Sequence, residues 1–93
     1  MVYVEVVMKP KLTEFSNGTK SWWLNDKLHR ENGPALEWAT GYKEWRVNGE
    51  LHREDGPAVE YPSGHKEWWL NGKQYTEEEF ALIQFMNGKN IYA

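Results

Sequence analysis

The pattern of apolar and polar positions predicts β-strands along most of the chain. Residues 2–8 alternate apolar side chains with a period of two, the spacing of a half-buried strand. The segment 9–11 ends this strand because its proline has no backbone N–H to donate. A second short strand, 12–15, leads into the turn sequence Ser16-Asn17-Gly18. Further strands are predicted for 35–39, 42–48, 58–61 and 65–70.

Three segments share one sequence pattern at intervals of 23 residues: 18–25, 41–48 and 64–71. Each begins with glycine, has lysine at its third position and tryptophan at its fifth, and ends with asparagine. The second and third continue as Asn-Gly, the strongest short hairpin signal, because both turn positions tolerate a positive φ. Each unit therefore predicts a short strand that turns into a longer one, which ends in a hairpin turn.

The connectors between these units are nearly identical in sequence. Residues 28–35 and 51–58 both read Leu-His-Arg-Glu-x-Gly-Pro-Ala and differ only at Asn32 and Asp55. The proline of each opens the next short strand, where a missing N–H is least costly. We interpret each connector as the segment that sets the distance between neighbouring hairpins.

The third unit continues differently, into a predicted helix over 77–87. Thr76 and Glu79 form the sequence signature of a capping box, and Gly88 is suited to the C-cap. The apolar face of this helix needs a packing partner, and we expect the helix to close the open end of the sheet. That face comprises Phe80, Ile83 and Phe85, widened by Leu82.

The predicted fold is mostly β: an antiparallel meander of about seven strands in β-hairpin repeats, capped by one C-terminal α-helix. The 93 residues suffice for a single domain, 1–93, with a small core. Its predicted parts are leading strands 1–17, repeat units 18–40, 41–63 and 64–75, and a capping helix 76–88.

Composition excludes several classes of site. The chain has no cysteine, which removes disulfides, thiolate metal sites and cysteine nucleophiles and suits a reducing cytoplasm. A net charge of −3 gives no general attraction to nucleic acid. No stretch approaches the ~20 apolar residues of a membrane span, so we expect no membrane association. The three histidines lack metal-site spacing and no catalytic motif is present, so we expect no metal, no cofactor and no enzyme activity.

The connectors contain the first group of candidate binding residues: His29, Arg30, His52 and Arg53. Two imidazole and two guanidinium groups in a row would suit a nucleotide or another anion. A structural role is favoured over this one, since a residue that recurs in every unit usually serves stacking. Each arginine would then pair with a nearby acid while its stem covers a tryptophan, and each histidine would bond a turn carbonyl of the next unit.

The second group is a ladder formed by Trp23, Arg46 and Trp69, one residue after each lead tryptophan. Strand alternation places it on the opposite face from the lead tryptophans, which we expect in the core. Trp and Arg are enriched at binding hot spots. If exposed, the ladder is a site for a protein partner or a homodimer; if the helix covers it, it is half of the core. The sequence leaves both open.

The unit Gly-x-Lys-Glu-Trp-[Trp/Arg]-[Leu/Val]-Asn-Gly-x-Leu-His-Arg-Glu-Asp-Gly-Pro-Ala resembles a short repeat of small bacteriophage and large-DNA-virus proteins. The resemblance covers about residues 11–88, including the Thr-Glu-Glu-Glu-Phe helix start. More distantly the units are similar to MORN repeats, which are β-hairpin units of ~23 residues. The resemblance implies an interaction module without catalysis, of the kind that phages use to inhibit host proteins.

Three functions are therefore expected, in this order. The first is a protein-binding module, a phage-type inhibitor of a host defence protein that acts in the host cytoplasm. The second is a ligand-sequestering protein that holds a nucleotide or other anion at the paired His-Arg segments. The third is a single-stranded nucleic-acid binder with bases stacked on tryptophan, which the acidic net charge disfavours.

Overall fold

The computed structural model describes residues 9–88. The strand predicted for 2–8 lies outside the described residues. In chain order the elements are β1 (Lys11–Glu14), β2 (Lys20–Leu24), β3 (Lys27–Leu28), β4 (Leu36–Glu37), β5 (Lys43–Glu44), β6 (Arg46–Val47), β7 (Glu50–Leu51), β8 (Val59–Glu60), β9 (Lys66–Leu70), β10 (Lys73–Tyr75) and α1 (Glu77–Met86).

The fold is an antiparallel sheet with one C-terminal helix, which confirms the predicted fold class. The main sheet has the order β1-β2-β4-β5-β8-β9-β10, with β3 paired to β2, while β6 and β7 form a separate hairpin. Every strand pair in the described residues is antiparallel. Chain neighbours are mostly sheet neighbours, as in a meander.

The strand predicted for 42–48 is interrupted at Trp45, which separates β5 from β6. The Trp45 N–H donates to the Ala58 carbonyl at 2.7 Å, and its carbonyl accepts the His52 N–H at 3.0 Å. The backbone therefore turns from the main sheet into its own hairpin at this residue. Asn48 and Gly49 close that hairpin with φ values of 51° and 83°, as the Asn-Gly signal predicts.

The strands that return from the hairpin turns were missed by sequence reasoning. β3, β7 and β10 are only two or three residues long, too short for a period-two pattern. They bring the described residues to ten strands where about seven were expected for the whole chain.

Opposite charges face each other across the main sheet from β1 to β9. Lys20 is in register with Glu37, which is also in register with Lys43. The same pairing continues in the next unit, so the register follows the 23-residue spacing of the sequence. Opposite-charge cross-strand pairs contribute roughly 0.2–1 kcal/mol each and disfavour a slipped register. The complete row is Glu14, Lys20, Glu37, Lys43, Glu60 and Lys66.

The buried core is small and differs from the expected one. The buried apolar side chains are Ala35, Ala58, Val59 and Phe80. The lead tryptophans at 22, 45 and 68, expected in the core, are only half-buried. A single sheet with one short helix does not supply a second layer broad enough to cover all three indole rings.

The helix begins as predicted and packs by a narrower face than expected. The Thr76 side chain accepts the Glu79 N–H, and the Glu79 carboxylate accepts the Thr76 N–H, completing the capping box. Hydrogen bonds from the Thr76 backbone and side chain lower the pKa of Glu79. Phe80 is buried, whereas Phe85 is 72% exposed and was wrongly placed in the packed face.

Candidate functional site

Each connector histidine is bonded to the Asn-Gly turn of the next unit. His29 Nδ1 accepts the Asn48 N–H at 2.9 Å, and His52 Nδ1 accepts the Asn71 N–H at the same distance. We expected each histidine to donate a hydrogen bond to a carbonyl of that turn. Instead, the ring nitrogen accepts a hydrogen bond from a backbone N–H of the turn. Nδ1 therefore carries no proton in this arrangement.

Each connector arginine stacks on the lead tryptophan of its own unit. The Cζ atom of Arg30 lies 3.8 Å from the ring centroid of Trp22, and that of Arg53 lies 3.9 Å from Trp45. The guanidinium itself covers the ring, whereas the sequence predicted contact through the arginine stem. Each guanidinium is therefore in cation–π contact with its indole ring, and it also shields that half-buried ring from water.

The rest of each connector fixes this stacked guanidinium in place. Arg53 donates to the Pro57 carbonyl at 3.0 Å and to Glu60 at 3.1 Å. A Cβ atom added at Gly56 would lie 2.9 Å from Arg53 Cζ, so any side chain here would displace the guanidinium. Arg30 and Gly33 repeat this arrangement: a Cβ atom added at Gly33 would lie 2.8 Å from Arg30 Cζ.

The two connectors lie side by side across a cleft of about 950 Å³. Both arginines, His52 and Trp45 line it, whereas His29 does not, so the structure brings together three of the four predicted His-Arg residues. Three carboxylates line the same cleft, and one of them accepts a hydrogen bond from Arg53 Nε at 3.0 Å. Acids therefore outnumber the two guanidinium groups, which lowers the attraction of the cleft for anions. The three acids are Glu31, Glu54 and Asp55.

The predicted ladder is neither fully exposed nor covered. Trp23 is 41% exposed, while Arg46 and Trp69 are half-buried. Each ladder residue donates to the side chain two positions earlier in its strand: Trp23 to Ser21 at 2.8 Å, Arg46 to Glu44 at 2.6 Å and Trp69 to Glu67 at 2.9 Å. Only the Trp23 end of the ladder offers a large exposed ring.

A row of aromatic rings on the same face was missed by sequence reasoning. Trp38, Tyr42, Tyr61 and His65 contact in sequence, with ring centroids 4.8, 5.1 and 5.1 Å apart. Burial, then the hydrogen bond to Glu44, raises the pKa of Tyr42, and the hydrogen bond to Glu67 raises that of Tyr61. Both phenols are therefore held in the neutral, donating form.

The row stops at Trp38, and an apolar groove of about 530 Å³ lies beyond it. Phe15 and Trp38 line the groove and are 53% and 50% exposed. Thr19 lies between them, at the position that Tyr42 occupies 23 residues later. The groove exists because threonine cannot fill the space that tyrosine fills in the next unit. Aligning the 23-residue units places Thr19 at the position of Tyr42, so the sequence alone could have indicated this groove.

Several donors in this Phe15–Trp38 groove are not used by hydrogen bonds within the described residues. Asn17 Oδ1 accepts the Thr19 N–H at 2.9 Å, and Thr19 Oγ1 accepts the Ala39 N–H at 3.3 Å. These bonds leave the Asn17 NH₂ group and the Thr19 hydroxyl proton available to a ligand. Within residues 9–88, the Trp38 Nε1–H makes no hydrogen bond, and no charged side chain lines the groove.

A second exposed apolar patch lies on α1. Leu82, Phe85 and Met86 are 58%, 72% and 74% exposed. Their spacing places them along one side of the helix, away from the buried Phe80.

Within residues 9–88, no group of three or more His, Asp or Glu side chains is placed to hold a metal ion. No helix in that part of the chain has the length and apolar character needed to cross a membrane. Comparisons with protein-family models, curated proteins and solved structures find no match for this chain.

Proposed function

We propose that this chain is a non-enzymatic protein-binding module, a phage-type inhibitor of a host defence protein that acts in the host cytoplasm. The observation that supports it most is the exposure of three large aromatic rings on one face of the sheet. Phe15, Trp23 and Trp38 are each 41–53% exposed. We call this surface the aromatic face.

Strand register places these rings on a common side. Thr13 is in register with Ser21, which is in register with Leu36. Residues directly opposite in a sheet share a face, and residues two apart in a strand share it too. Phe15, Trp23 and Trp38 are each two residues from a member of that row.

The energetics of burial favour a protein partner for this face. Aromatic rings bury large apolar areas and dominate interface energies, and Trp is the residue type most enriched at hot spots. The chain keeps the rings in water although its core is small. A partner that covered them would gain the apolar burial that the fold itself leaves unused.

The proposal is tested by photo-crosslinking from the aromatic face. Benzoylphenylalanine replaces Trp23 in one variant and Leu12 in another; Leu12 is 49% exposed and lies opposite Trp22 on the other face. Host protein captured only from position 23 is then purified and its affinity measured. We expect Trp23→Ala to weaken binding about 30-fold and Leu12→Ala by less than about twofold. Equal capture from both positions, or no saturable binding, would contradict the proposal.

A second candidate function is supported by the cleft between the connectors. Arg30, His52 and Arg53 approach one another there beside the Trp45 ring, an arrangement suited to a nucleotide or another anion. Calorimetry with ATP and with inorganic phosphate tests it. If this candidate holds, added salt and Glu31→Gln change affinity in opposite directions, because the first screens the arginines and the second removes a repelling charge.

Self-association as a homodimer would use the helix patch. Leu82, Phe85 and Met86 are exposed together, and a symmetric pair of short helices would cover them. Light scattering across concentrations tests this, with Phe85→Glu as the disrupting variant. A mass that stays monomeric at every concentration contradicts a dimer.

A further inference from the structure

We infer that the Phe15–Trp38 groove binds a proline-rich segment in the polyproline II conformation. This inference rests on the proposed protein-binding function and names the class of partner. Three properties of the groove support it: its two exposed rings, its unused donors and the absence of charged side chains from its described lining.

The rings define the shape of the ligand. Phe15 and Trp38 stand on either side of the small Thr19 side chain in a groove of about 530 Å³. Polyproline II segments dock in aromatic-lined grooves because pyrrolidine rings pack flat against aromatic faces. The stiffness of a polyproline II segment also lowers the conformational entropy that it loses on binding.

The hydrogen-bonding groups define the ligand's polar side. Asn17 Oδ1 and Thr19 Oγ1 already accept backbone N–H groups, so their remaining protons, and the Trp38 N–H, point to a ligand that supplies acceptors. A proline residue has a free carbonyl acceptor and no backbone N–H that needs a partner. An ordinary extended peptide brings an additional N–H donor at each residue, and each of these donors needs an acceptor of its own.

The charge pattern argues against other ligands. Charged residues make up 27% of the chain, yet among residues 9–88 none lines this groove, so no described side chain there pairs with a phosphate or an acidic or basic peptide. Neutral sugars stack on aromatic rings as well, but each sugar hydroxyl brings a donor that needs an acceptor. Ser16, Asn17, Thr19 and Thr40 each keep at least one acceptor lone pair, so the titration, rather than the lining, has to separate a sugar from a proline-rich segment.

The test titrates a decaproline peptide into the ¹⁵N-labelled full chain and follows the indole N–H signals. The six tryptophans give six such signals, and the one missing in Trp38→Phe belongs to Trp38. We expect this signal to shift on titration. Trp38→Ala should weaken binding at least about tenfold, and Trp38→Phe about threefold to tenfold, because it keeps a ring but loses the donor.

The sharpest variant copies the chain's own next unit. Thr19→Tyr places in the groove the side chain that fills the corresponding space at Tyr42, and it should abolish decaproline binding. Thr19→Ala is the matched control: it leaves the groove open and should weaken binding no more than about threefold. Urea unfolding of each variant confirms that it is folded.

Three results would overturn the inference: no shift of the Trp38 signal, equal binding of a Gly-Ser peptide of the same length, or binding of cellohexaose in place of decaproline. Partner capture from position 23 separates this failure from that of the proposed function. If a host protein is captured from position 23 but decaproline does not bind, the proline-rich ligand is refuted and the proposed protein-binding function is not.

Discussion

The connectors and the Phe15–Trp38 groove use the same kinds of residue for opposite purposes. In the connectors, Trp45 is covered by Arg53, and His52 is bonded to the next turn. In the groove, Trp38 is 50% exposed, and its N–H makes no hydrogen bond within residues 9–88. The residues that recur from unit to unit are occupied in holding the units together. The position where a unit departs from the pattern, Thr19 in place of tyrosine, is where the surface opens.

The largest expected effect is loss of the stacked guanidinium. Arg53→Ala removes the contact with Trp45 and the hydrogen bonds to Pro57 and Glu60, and should lower the free energy of unfolding by about 2–4 kcal/mol in urea titration. Lys73→Ala is the control: its ammonium lies 5.3 Å from the Tyr75 ring, and its removal should cost less than about 0.5 kcal/mol. Equal losses would show that stacking in the connector is unimportant.

Loss of the connector histidine should come next. His29→Ala leaves the Asn48 N–H without its acceptor and should cost about 1–3 kcal/mol. His29→Asn places an amide oxygen near the position of Nδ1 and should recover part of that loss. Thermal unfolding of both variants measures the difference, and the absence of any recovery would contradict the acceptor role.

A double-mutant cycle tests the contact between glycine and guanidinium. Gly56→Ala puts a methyl group 2.9 Å from Arg53 Cζ, so it should cost about 1–2 kcal/mol in the wild-type background. In the Arg53→Ala background the same change should cost less than about 0.5 kcal/mol, since the obstructing group is gone. Additive losses would mean that the cost of Gly56→Ala does not come from its contact with the Arg53 guanidinium.

The smallest expected effect is an alkaline pH dependence in the aromatic row. Burial and the bond to Glu44 raise the pKa of Tyr42 above its ordinary 10.0. The unfolded phenol therefore ionises first, so stability is unaffected below about pH 9 and falls as pH rises above 10. Melting temperature measured from about pH 9 to 11 should fall less steeply in Tyr42→Phe. An identical slope in the variant would contradict this origin.

The features that were predictable from sequence are those determined locally. The capping box at Thr76 and Glu79 and the turn at Asn48 depend on residues within a few positions, and both form as expected. Strand alternation likewise separated Trp23 from Trp22. These features need no knowledge of which strands become neighbours.

The features that were missed depend on contacts between distant strands. Phe85 is exposed because the sheet covers only a small part of the helix surface. The helical spacing of apolar residues does not indicate how much of that surface is covered. The groove combines residues from the turn between β1 and β2 with residues from the turn that follows β4, so it appears only when these strands are adjacent. The stacked arginine likewise required knowing that the chain turns back so that Arg53 lies over the ring of Trp45.

The most direct test measures stability and decaproline binding together in two conservative variants. Arg53→Lys keeps the charge but loses the planar stack, so we expect a lower free energy of unfolding and unchanged binding. Trp38→Phe should leave the free energy of unfolding within about 0.5 kcal/mol of the wild type and weaken binding. The account is contradicted if Arg53→Lys impairs binding without loss of stability, or if Trp38→Phe binds decaproline as the wild type does.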